Sequence, residues 1–130
     1  MRRVRIAVAV ALLVVPLAEG SALAGAHIKV EDGEYPGGKL KVIAKDCVSG
    51  KDYEAFVEVE LVDVKAGNVR LEKDRKRADA DGVTKLQVKI PNDATTYRRD
   101  KAIVTCRHLF DGGGSGVFYQ SEEFFEVYQP

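Results

Sequence analysis

The sequence predicts an all-β protein, a two-layered antiparallel sandwich of about seven or eight strands. Three observations carry this reading. Apolar and polar residues alternate with a period of two in segment after segment, which sends successive side chains to opposite faces of a half-buried sheet. Clusters of Gly, Pro, Asp and Asn interrupt the alternation at intervals of ~8–12 residues. No stretch repeats its apolar residues at helical spacing over a convincing length. With 130 residues, 45% of them hydrophobic and 31% charged, the chain has material for one domain and its core, and it is too apolar to be disordered.

The elements follow in order. Ile28 and Val30 open a short strand that stops at Asp32-Gly33 and Pro36-Gly37-Gly38. Lys39–Lys45 then places Leu40, Val42 and Ala44 on one face against Lys39, Lys41 and Lys45 on the other, with Ile43 the exception. After the Ser49-Gly50-Lys51-Asp52 turn, Ala55–Leu61 sets Ala55, Val57, Val59 and Leu61 opposite Glu58 and Glu60. Ala66-Gly67-Asn68 turns the chain into a short edge strand, Val69–Leu71, where charge discourages pairing with other chains. The basic clusters Glu72–Arg77 and Arg98-Arg99 contain interleaved acids and read as solvated surface. Asp79–Gly82 turns into Val83–Ile90, whose inward phase is Leu86, Val88 and Ile90. Lys101–Cys106 is the most apolar strand and so a central one. Two short strands, Val117–Tyr119 and Glu123–Tyr128, complete the sheet, and the adjacent Phe124 and Phe125 point to opposite faces. A closed barrel is the alternative architecture.

Residues 1–26 read as a secretory signal. Arg2, Arg3 and Arg5 precede a short apolar run, Ile6–Ala18, and small residues follow. Cleavage after Ala24 or after Ala26 satisfies the small-x-small rule, leaving a domain at about 27–130. The run is shorter than the ~18–20 residues that span a bilayer, so the mature chain is expected to lack a membrane span and to be secreted as a monomer; an uncleaved anchor is the alternative. The net charge of zero removes any global argument for nucleic-acid binding.

Export decides how the two cysteines are read. Outside the cytosol, Cys47 and Cys106 are most simply a disulfide. It would close a loop of about 60 residues, worth ~4 kcal/mol in the chain-entropy account. The competing reading is a nucleophilic Cys106 with His108 two residues on, which oxidation would silence. An all-cysteine zinc site needs more cysteines than the chain has, and a mixed site would need both Cys and both His at spacings that do not fit.

Together these features resemble the immunoglobulin-like sandwich modules of exported bacterial proteins, especially those of actinobacteria. The residues that carry the likeness are Ile28-Lys29-Val30, then Pro36-Gly37-Gly38 before Leu40, Val42 and Ala44, and Cys47 just after that strand. Asp79-Ala80-Asp81-Gly82 ahead of a strand ending Ile90-Pro91, and Cys106 in the most apolar strand, complete it. The likeness departs from antibody domains: there is no Trp, and Val104 stands two before Cys106 where a tyrosine corner would have Tyr. Cys47 is also out of phase with Leu40, Val42 and Ala44 unless a bulge intervenes. The bridge is therefore expected to staple a loop at one end of the sandwich to a neighbouring strand, without crossing the core.

Few residues suggest chemistry. If cleavage follows Ala26, His27 offers an amine and an imidazole, and with His108 it resembles the copper-holding brace of some secreted copper carriers and oxygenases. Asp79 and Asp81 sit in a turn, but a calcium loop aligned on Gly82 would put Arg77 and Val88 at ligand positions. Asp111–Gly116 lacks the Lys and helix of a phosphate loop and reads as a flexible hairpin loop; Ser115 lacks the glycine of a nucleophile elbow. Aromatics crowd the C-terminal part, and exposed rings beside a glycine loop suit a ligand or glycan surface. The expected contact surface is Phe110, Gly113, Ser115, Phe118 and Tyr119. The reading is a secreted non-catalytic binding module without cofactor or metal, its partner a protein, a glycan or a small ligand. The alternatives are a small-molecule carrier, similar in size to the enediyne-antibiotic carrier sandwiches that hold two disulfides, and a copper protein using His27 and His108.

Overall fold

A computed structural model describes residues 27–130, so residues 1–26, read from the sequence as a signal with its two candidate cleavage positions, lie outside the described residues. Eight strands and no helix occur among them: β1 (Ile28–Val30), β2 (Gly33–Glu34), β3 (Lys39–Lys45), β4 (Tyr53–Asp63), β5 (Val69–Arg77), β6 (Val83–Lys89), β7 (Arg98–Phe110) and β8 (Ser115–Val127). A three-stranded sheet, β1-β3-β6, faces a five-stranded sheet, β2-β8-β7-β4-β5. The core lies between them. Leu40, Val42 and Ala44 of β3 and Leu86 and Val88 of β6 meet Val57, Val59 and Leu61 of β4, Val104 of β7 and Phe125 of β8, all buried. Each Leu, Val or Phe among them contributes ~1.5–3 kcal/mol on leaving water, which makes burial the main support of the fold.

Alternation places these residues, and it also arranges the charges. On the outward face of the larger sheet, Glu58 pairs with both Arg75 and Arg107, Glu60 with Arg70, and Glu122 with Lys101. Phe125 is buried and its neighbour Phe124 faces outward, where the Arg99 guanidinium lies 4.3 Å from its ring centre.

Four departures from the sequence reading have physical causes. The last two expected strands are one, because β8 pairs with β7 from Ser115 to Val127, interrupted only by a one-residue bulge; Ser121 and Glu123 stand in its inward phase and break the apolar pattern that marks a strand. β5 runs on through the basic cluster to Arg77, held by its ladder to β4 rather than by apolar alternation. A strand appears where a turn was expected, at Gly33–Glu34, and it pairs with β8 in parallel, so the larger sheet is mixed. There Glu126 and Tyr128 donate their amides to the carbonyls of Asp32 and Glu34 at 2.9 Å. Gly33 permits this approach, since a Cβ would sit 2.5 Å from the Glu126 carbonyl oxygen and from the Tyr128 ring. The glycine-rich loop is also shorter than Asp111–Gly116, because Ser115 and Gly116 already belong to β8.

Cys47 and Cys106 are bonded, with Cα atoms 5.7 Å apart and the two positions 59 apart in sequence. The bridge starts in a loop just past β3, but it does not staple that loop to a neighbouring strand clear of the core: β7 belongs to the facing sheet, and both cysteines are fully buried in the core, because the chain turns inward right after β3. Asp46 resolves the phase problem. Its φ of 61° turns the chain after Lys45, so that Cys47 points inward.

Candidate functional site

The strands of the larger sheet outrun those facing them. β7 and β8 have 13 residues each and β4 has 11, whereas β3 and β6 have seven. Along β7 the inward phase runs Asp100, Ala102, Val104, Cys106, His108, Phe110, buried through Cys106 and progressively open after it. The inner face of the larger sheet therefore continues past the end of the smaller one, and the residues on that overhang are aromatic.

Register brings the rings together. Tyr53 of β4 is paired with Phe110 of β7, and Ala55 with His108. On β8 the ladder skips one residue: Cys106 faces Tyr119 but Arg107 faces Val117, which leaves Phe118 as the extra residue of a bulge. In a regular strand Phe118 and Tyr119 would point to opposite faces; the bulge lets both rings join one row. Tyr53 stacks on His108 at 4.1 Å between centres, His108 on Phe118 at 4.9 Å, and Tyr119 on His27 at 4.4 Å. Phe118 and Tyr119 meet at 6.0 Å, and Phe110 closes the other end edge-on to Tyr53 at 6.2 Å. Because β7 lies between β4 and β8, Tyr53 and Phe118 flank His108 on its two sides.

The row is anchored at its His27 end. The Tyr119 hydroxyl donates to the Lys45 carbonyl at 2.6 Å, and His27 Nδ1 lies 3.1 Å from Asp46 Oδ2. Burial, with the Asp46 carboxylate adding to it, pushes the Tyr119 phenol up to about 12, so it remains a donor throughout the physiological range. Asp46 adjoins Cys47, and Cys106 is the cross-strand neighbour of Tyr119, so the disulfide fixes the root of the row. Phe118 and Phe110 are the open members, 57% and 45% exposed.

Of the expected surface residues, Phe110, Phe118 and Tyr119 fall in this row. Gly113 is at the tip of the β7–β8 hairpin with φ of 99°, its amide bonded to the Phe110 carbonyl, and Ser115 lies exposed opposite Leu109. These two border the row without adding rings. Tyr53 was not foreseen. Its signal was present, since it continues the phase of Ala55, Val57 and Val59. His27 and His108 also stand in the row, His27 stacked on Tyr119 and His108 between Tyr53 and Phe118. Cys106 has no thiol to offer as a nucleophile. Asp79 and Asp81 form the expected turn, with Asp81 Oδ1 accepting the Val83 amide at 3.0 Å.

One further titratable group is unusual. Asp100 is buried on the inner face near the other end of the larger sheet, and its Oδ1 has no hydrogen-bond partner among the described residues. Burial, and then the neighbouring Asp63 carboxylate, raise it from 3.8 to about 6 against the opposing pull of Arg98, which is itself clamped to Asp63 at 2.9 Å. No known protein family matches this chain, and no curated protein is detectably similar to it.

Proposed function

We propose that the chain is a secreted, non-catalytic interaction module of the immunoglobulin-like sandwich type that docks a protein partner through its aromatic row. The observation that carries this reading is the open inner face of the overhang, where rings pack against one another and Phe118 and Phe110 remain half exposed. A packed ridge of half-exposed rings suits the aliphatic and aromatic side chains of a protein surface. A carried small molecule would need an enclosing cavity. The disulfide fits an oxidising destination for the signal-bearing chain. N-terminal sequencing of exported material should begin at Gly25 or His27.

The test replaces Phe118 with a photo-crosslinking phenylalanine analogue in the protein as exported. Irradiation in its native medium should yield a protein adduct that disappears when Phe110→Ser is added. A glycan adduct, or none, would overturn the proposal. Both histidines of the chain belong to the row, so their ring resonances provide an independent reporter: addition of the cross-linked partner should shift them.

A further inference from the structure

The smaller sheet carries its charge differently from the larger. Its outward phase holds Lys29 on β1, Lys39, Lys41 and Lys45 on β3, and Lys85 and Lys89 on β6, all exposed. None of these six ammonium groups is in a salt bridge among the described residues, whereas the outward cations of the larger sheet are largely matched with carboxylates. Lys39 even stands directly opposite Lys89, a cross-strand pairing of like charges that costs stability. Glu31, an acid at the rim, accepts the Lys41 backbone amide at 3.2 Å. A chain with no net charge thus holds one bare cationic face.

The shape of that face limits what it fits. Ile43 is at its centre, with Lys29 and Lys85 across the ladder on either side and Lys41 and Lys45 before and after it along β3. β3 and β6, of seven residues each, with the three-residue β1 alongside, make a lane about 20 Å long and 10 Å wide. Its cations are lysines alone. Lysine is a hydrated point charge without the fork that grips one phosphate, so the lane suits many anionic groups spread along a partner. It carries no ring on which a nucleic-acid base could stack, and no aromatic wedge to enter a bilayer.

We propose that this lane binds a linear acidic polysaccharide laid along β3, its carboxylates spaced among the lysines. The surface is distinct from the aromatic row, and the proposal does not depend on that row. The probe is a fluorescently labelled polygalacturonate oligomer, with dextran of equal length as the neutral control. The oligomer should bind and dextran should not, and affinity should fall at least about tenfold as salt rises from about 0.05 to 0.2 M. The triple variant Lys29→Gln, Lys41→Gln, Lys85→Gln should lose at least about tenfold in affinity. Its unfolding midpoint should hold or rise, since it removes only exposed, unpaired charge. The variant Lys51→Gln, Lys65→Gln, Lys73→Gln makes the same change in net charge away from the lane and should bind as the parent does. Equal weakening by both triples would overturn the proposal in favour of diffuse attraction. Stronger binding to anionic lipid vesicles or to a single-stranded oligonucleotide than to the polygalacturonate would overturn it as well.

Discussion

At Asp100 the fold holds a carboxyl group in a place that disfavours its charge. Its folded value, about 6, lies above the ordinary 3.8, so the folded chain binds the proton more tightly than the unfolded one. The penalty is absent below the ordinary value, grows as pH rises through the interval, and is complete above the raised one. Stability should therefore increase as pH falls from 7.5 to about 5, read as the urea midpoint. Asp100→Asn should gain on the order of 1–3 kcal/mol at pH 7.5 and flatten that part of the profile. A flat parental profile would show that Asp100 ionises freely. Within the aromatic row, Tyr119→Phe removes only the hydroxyl that reaches the Lys45 carbonyl. It should cost about 0.5–1.5 kcal/mol by urea unfolding and displace the His27 ring resonances more than those of His108.

Among the elements, β3 and β6 were the most legible, because one face of each is packed and the other wet, and period two is broken only by the outward Ile43 and by the Val83-Thr84 start of β6. β5 and β8 were only partly legible. β5 is held by backbone pairing at an edge, which leaves no apolar signature in Glu72–Arg77, and the inward Ser121 and Glu123 divided β8 in the reading. The candidate site shows the same limit. Phe110, Phe118 and Tyr119 stood out by residue type, but the row depends on the Tyr53–Phe110 register and the bulge at Phe118, which no local pattern announces. The parallel pairing of β2 was likewise hidden, since two residues carry no periodicity. It yields a sharp expectation nonetheless. Gly33→Ala puts a methyl group against the Glu126 carbonyl, so it should destabilise by ~1–3 kcal/mol and speed hydrogen exchange at the amides of Glu126 and Tyr128. Unchanged exchange at both would mean that the pairing does not hold.

Taken whole, the molecule is two sheets of unequal reach joined by one covalent bridge. Replacing Cys47 and Cys106 together with alanine should lower stability by about 4 kcal/mol at neutral pH, chiefly by freeing the unfolded chain, and urea unfolding measures it directly. A loss below about 1 kcal/mol would show that the burial between the layers suffices without the bond. The unequal reach of the sheets has its own consequence. The overhanging strands are already rigid, being continuous with a packed interior, so a partner arriving at their tips finds side chains whose backbone freedom was surrendered during folding. Association there would release water from hydrocarbon surface with little motion left to freeze. Calorimetry should see that as a negative heat-capacity change without the steep entropic toll of segments that fold upon contact.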